Sequence, residues 1–136
     1  MWNVKKYEPN PQHCNICNGK VILATCEELG ITHKSSNTCY VCCECGAYVG
    51  THNNGTEEAM GVLADCETRY LRKLCHDEFD KHCLTKDAVS QFYLMLGQAM
   101  EIDQPQHNCH FGYMEKEDLI NALGIMKIKL KDVTLK

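Results

Sequence analysis

No stretch of this chain approaches the ~18 consecutive apolar residues of a membrane span. The opening MWNVKKYEPN has neither an apolar segment nor a small-residue cleavage site. The expectation is a soluble, intracellular protein without a membrane partner. Low-complexity runs are absent, and nothing repeats beyond a pair of short cysteine knuckles, which excludes a repeat array. Positive charge is not in excess: 14 Lys and Arg against 18 Asp and Glu leave a formal net charge of −4. Indiscriminate binding to nucleic acid is therefore disfavoured, although a local basic patch is not. A glycine-rich phosphate loop and the common hydrolase, nuclease and transferase motifs are missing as well. With 136 residues, the chain can fill one compact unit or a small module fused to a helical one, but not two full cores.

What the chain has is cysteine, eleven in all. An odd count with no export signal points to metal binding and away from a disulfide framework. CNICNGK holds Cys14 and Cys17, and TCYVCCECG holds Cys39, Cys42, Cys43 and Cys45. Cys14–Cys17 and Cys42–Cys45 are CxxC knuckles, each closely followed by glycine (Gly19, Gly46), which lets the chain turn back sharply so that backbone N–H groups face the sulfurs. Four such thiolates converge tetrahedrally on one structural zinc, with zinc–sulfur bonds of about 2.3 Å and no open coordination position. Zinc on four thiolates adds 2 − 4 = −2 to the formal −4. Cys39 with Cys42 is the competing register, but Cys43 and not glycine follows it. In the favoured register Cys39 lies in the strand entering the second knuckle and Cys43 at its tip.

Residues 20–26, 38–42 and 47–50 read as short strands. Beyond residue 56 the composition becomes helical. Asp65 is the expected N-cap of a helix over 66–83, with Tyr70, Leu71, Leu74, Cys75 and Phe79 near one face. A second helix begins at Thr85 or Lys86 and presents Val89, Phe92, Tyr93, Leu96 and Met100 to a core. DQPQHN reads as a loop, and a third helix begins near Glu115 and stops at Gly124. The tail KIKLKDVTL alternates Lys127, Lys129 and Lys131 with Ile128 and Leu130, which predicts a strand with one basic face that could pair with MWNV. The predicted fold is α+β: a zinc-ribbon module over residues 1–56, packed on a bundle of about three helices with a basic C-terminal strand over 57–136, together one compact unit.

Five blocks, CNICNGK, YVCCECGAYVGTHN, LADCETRYLRKLCHDEFD, KDAVSQFYLMLG and CHFGYMEKEDL, resemble in order the zinc-finger-containing proteins of unknown function found in phages and prophages. That family is similar to the zinc ribbons of DNA topoisomerases, which implies nucleic-acid binding and, for a phage protein, a bacterial host cytoplasm.

Arg69, Arg72 and Lys73 form a basic helix edge that, with Tyr48 stacking on a base and His52 beside it, is a candidate nucleic-acid surface. A solvated, ion-paired helix face is the plain alternative. The acidic balance points to a host protein instead, such as a basic component of a defence system that the chain would inhibit, with Glu57, Glu58, Asp77, Glu78, Glu115, Glu117 and Asp118 supplying the charge. His52, His76, Asp80 and His110 are the candidates for a metal-assisted hydrolase or nuclease. The plain reading of His76 and Asp80, four apart on one helix face, is an ordinary hydrogen-bonded pair tying the helix to the ribbon; a second metal site is the other alternative. The expected activity is a non-enzymatic interaction module.

Overall fold

The computed structural model describes residues 7–32 and 36–136. The close contacts of the described residues divide into two units, one reaching to Glu67 and one from Thr68 to Lys136.

In the first unit β1 (Val21–Thr25), β2 (Thr38–Cys42) and β3 (Tyr48–Gly50) form an antiparallel sheet in the order β1-β2-β3. The register runs from Val21↔Cys42 to Thr25↔Thr38 and from Cys39↔Gly50 to Val41↔Tyr48. Side chains alternate across a pleated sheet, so Val21, Tyr40, Cys42 and Val49 share the face that packs with Cys14, Ala47, Ala59 and Leu63. Residues 59–64 strap the sheet through bridges Thr51↔Ala59 and Tyr48↔Ala64. Buried polar groups are matched: Tyr40 donates to Glu57 O at 2.9 Å and accepts from Asn10, while the Thr38 and Thr51 hydroxyls meet at 2.8 Å.

The second unit is helical. α1 (Cys66–His82), α2 (Lys86–Ala99), the single-turn α3 (Pro105–Asn108) and α4 (Lys116–Ile128) enclose a core of Cys75, Phe79, Phe92, Leu96, Met100, Phe111, Met114, Leu119 and Met126. Thr85 caps α2 by accepting from Ala88 N, and Glu115 with Asp118 forms a capping box at α4. Gly97 permits the closest approach here, because a Cβ there would lie 2.5 Å from Pro105 Cβ.

Several expectations change. DQPQHN is not all loop, since α3 occupies its last four residues. α4 runs through Gly124, where a glycine costs only about 1 kcal/mol, because continuing the helix buries Ile125 and Met126. The expected basic strand over 127–131 is therefore absent: Lys127 and Ile128 end α4, and Lys129 keeps helical backbone angles. Extended pairing comes later, where Leu135 bridges Cys83 in parallel and exchanges hydrogen bonds with His82 O and Leu84 N. Pairing with MWNV lies outside the described residues. Tyr70, expected on the buried face of α1, is 61% exposed.

Candidate metal centre

Each knuckle closes on itself by the same two main-chain bonds. Cys14 N donates to Gly19 O and Asn18 N to Cys14 O; Cys42 N donates to Ala47 O and Gly46 N to Cys42 O. Asn18 therefore corresponds to Gly46, and both have positive φ, 64° and 79°. Asparagine is the residue other than glycine that tolerates this region best. Gly19 has a different task from the one its motif suggests: a Cβ on it would lie 3.0 Å from Cys42 Sγ and 2.6 Å from Glu44 Oε2. It lets the first knuckle approach the second.

The result is one cluster. The Sγ atoms of Cys14, Cys17, Cys42 and Cys45 all lie within 4.8 Å of one another, with Cys14–Cys45 at 3.7 Å and Cys17–Cys42 at 3.4 Å. A tetrahedron with zinc–sulfur bonds of ~2.3 Å has edges of ~3.8 Å, so the donor set fits zinc. Backbone N–H groups face the sulfurs: Ile16 N on Cys14, and Glu44 N and Cys45 N on Cys42, each at 3.4 Å. The N–H groups of Cys45 and Glu44 favour the anion and hold the Cys42 thiol near 7, down from 9.0, while burial pushes Cys14 up. With four protein ligands the zinc is structural. It supplies cross-linking between two knuckles and no chemistry on a substrate.

Asn15, inside the first knuckle, anchors the strap. Its amide accepts from Leu63 N at 2.9 Å and donates to Leu63 O at 3.1 Å. Of the remaining cysteines in this unit, Cys43 is exposed, whereas Cys39 is buried against Cys26. Cys26 belongs to no CxxC, and its partner is found only once the β1–β2 register is known.

The other candidate residues are dispersed. Tyr48 is half-buried in β3, and His52 is exposed, its N–H donating to Glu58 O. Arg72, placed by sequence on a phosphate-facing edge, instead donates to the carbonyls of Gly112 and Met114 at 3.0 and 3.4 Å. Burial, with Arg69 adding to it, brings its pKa down to about 10. Lys73 is exposed and paired with Asp77 at 2.8 Å.

No hydrogen bond joins His76 to Asp80; the His76 ring meets the Phe111 ring edge-on at 5.0 Å. His110 packs edge-on against Tyr113 at 5.0 Å. Among the described residues, the four cysteines are the one group of three or more Cys, His, Asp or Glu donors this close together. The bonded histidine–carboxylate pair lies two residues further along the helix than the expected one: buried His82 contacts Glu78 Oε2 through Nε2 at 2.9 Å and Val133 O through Nδ1 at 2.7 Å.

A family model described as a zinc-finger-containing domain matches residues 10–129. No curated protein and no solved structure matches the chain.

Proposed function

The chain belongs to the zinc-finger-containing domain family, and from that premise we propose that it is a non-enzymatic interaction module whose zinc ribbon docks a protein partner. The observation that carries this reading is the outer edge of the ribbon. β1 has β2 on one side; on the other, Val21 N donates to Gln12 O beside the His13↔Lys20 bridge and Thr25 N to Glu28 Oε1, and between them, at Ile22 to Ala24, no described strand pairs with it. It exposes Ile22 and Leu23 at 41% and 43%, and Ile16 at the first knuckle is 45% exposed. An edge strand left open at its middle, with apolar side chains there, invites a partner that covers the apolar surface and adds main-chain hydrogen bonds. A closed metal centre fits a scaffold better than a reaction site.

Charge separates this reading from nucleic-acid binding. Of the expected basic edge, Arg72 is engaged with carbonyls and Lys73 with Asp77, and the formal net charge is −4. The resemblance to phage proteins supports a bacterial host protein as partner, and the acidic balance supports a basic one, such as a nucleic-acid-binding defence component held inhibited. The hydrolase alternative draws His52 from the first unit and His76, Asp80 and His110 from the second.

Affinity capture from a bacterial lysate with the zinc-loaded chain, compared with Leu23→Lys, tests the proposal. A partner retained by the parent and lost by the variant, while the variant keeps its zinc, supports it. A gel shift with single- and double-stranded DNA and RNA is the counter-test. Binding at low salt that falls steeply as salt rises, and persists in Leu23→Lys, refutes it.

A further inference from the structure

We propose that Cys26 and Cys39 form a disulfide site of the ribbon, distinct from the zinc thiolates and oxidised by a low-molecular-weight disulfide such as oxidised glutathione. The two Sγ atoms lie 2.7 Å apart, well inside the 3.4 and 3.7 Å that separate thiols across the metal centre. Both side chains are buried, Cys26 at 5% and Cys39 at 0% exposure. The backbone brings them together without help from a metal: Ala24 pairs with Cys39 in the β1–β2 ladder, and Cys26 N donates to Asn37 O at 2.9 Å.

Their place in the ladder sets them apart from the other thiols. The Val21↔Cys42 end of β1–β2 leads into the metal knuckles, whereas the Thr25↔Thr38 end leads to Cys26 and Cys39. Zinc and dithiol thus stand at opposite ends of one five-pair hairpin. Zinc occupies the four sulfurs of its own centre and leaves this pair available. Cys43 and Cys66 are exposed and meet an oxidant first, but neither has a thiol so near.

Cys26 is the entry point, because it has the greater exposure and is flanked by exposed Thr25 and Glu27. Burial, with Cys26 beside it, pushes the Cys39 thiol up to about 12, so Cys39 acts second. The Cys26 thiolate attacks one sulfur of oxidised glutathione, whose S–S bond breaks and releases one glutathione thiolate. Cys39 sulfur then attacks Cys26 Sγ, the mixed disulfide breaks, and the second glutathione leaves. The two cysteines lose two electrons to the oxidant, and their two protons end on the two glutathiones.

The test incubates the zinc-loaded full chain with oxidised glutathione and divides it: native mass spectrometry at neutral pH reads the bound zinc of one portion, and the other is quenched in acid, alkylated and analysed by intact and tryptic mass spectrometry. Apart from glutathione adducts on exposed Cys43 and Cys66, the expected product lacks about 2 Da, the two hydrogens lost per disulfide, keeps its zinc, and joins tryptic peptide 21–34 to the peptide beginning at Ser35 through Cys26–Cys39. Cys39→Ser should instead hold a lasting glutathione adduct on Cys26. If that variant loses zinc through misfolding, Cys26→Ser serves, with loss of the 2 Da product as its readout. A disulfide involving Cys14, Cys17, Cys42 or Cys45 with zinc released would overturn the proposal. So would full alkylation of Cys26 and Cys39 after Cys43 and Cys66 have become glutathionylated.

Discussion

Replacing Gly19 with alanine should weaken zinc binding, and replacing Gly46 with asparagine should not, although both glycines follow a CxxC. At Gly19 the added methyl would meet Cys42 Sγ at 3.0 Å, Glu44 Cβ at 3.1 Å and Glu44 Oε2 at 2.6 Å. The Glu44 carboxylate can swing away, but Cys42 Sγ is held by its place in the centre and by two backbone N–H groups. Comfortable heavy-atom separations begin near 3.5 Å, so the sulfur must retreat by about half an ångström. Overpacking of that kind costs about 1–3 kcal/mol, and at 1.4 kcal/mol per factor of ten this is a loss of about 5- to 140-fold in zinc affinity. At Gly46 nothing lies within 4 Å of the missing Cβ, and the constraint is φ of 79°. Asparagine accepts that backbone, as Asn18 already does at the matching position of the first knuckle, and affinity should be essentially unchanged. Competition with a chromophoric zinc chelator at fixed pH measures both. Undiminished binding by Gly19→Ala, or an equal loss in Gly46→Asn, would refute the division of labour between the glycines.

Metal analysis should find one zinc per chain, lost in Cys17→Ser and kept in Cys43→Ser and Cys39→Ser; equal loss in all three would displace the ligand assignment. His82→Leu should lower the stability of the helical unit by about 1–2 kcal/mol, because it removes the contacts of the His82 ring with the Val133 carbonyl and with Glu78, whose carboxylate keeps Lys81 and Lys127 beside it; chemical denaturation with an unmoved midpoint would contradict this. The same unit should weaken in alkali. Burial raises Cys75 to about 11 and Cys109 to about 12 from 9.0, so the unfolded chain gives up protons that the folded chain keeps. The stabilising effect is complete below pH 9 and is lost as pH rises through 11 to 12. By pH 10 the two thiols together should cost about 3 kcal/mol relative to pH 8. A urea midpoint that is flat across that interval would show that these thiols are not shielded.

The parts of this molecule that follow from local chemistry were legible in its sequence. The three strands, the knuckle register and the core-facing Leu71, Cys75 and Phe79 of α1 and Val89, Phe92, Tyr93, Leu96 and Met100 of α2 rest on spacing alone, and they fall where spacing puts them. The errors share a cause, which is that tertiary burial overrides a local signal. Gly124 resembles a stop and KIKLK a strand, yet Ile125 and Met126 continue the spacing of Leu119 and Ala122 and gain more from the core than glycine loses. The pairs His76–Asp80 and Glu78–His82 have identical spacing on one helix. Only the direction of the core, fixed by Phe92 stacked on His82 at 4.7 Å, decides which pair is bonded. Arg72 reads as basic surface until the carbonyls of Gly112 and Met114 are placed beside it. Cys26 and Cys39 are thirteen positions apart, and nothing in either neighbourhood names the other.

The clasp between Asn15 and Leu63 turns a metal ligand loop into a local spectroscopic reporter. The Leu63 amide proton bonds to a side chain 48 positions earlier, on the residue next to the ligand Cys14. When zinc holds the first knuckle, that amide should exchange slowly with solvent deuterium; when a chelator frees the knuckle, Asn15 loses its orientation and the proton should exchange quickly. One backbone hydrogen far from the sulfurs in sequence would then report, residue by residue, whether the centre is loaded, and would separate metal loss from global unfolding in any variant of the chain.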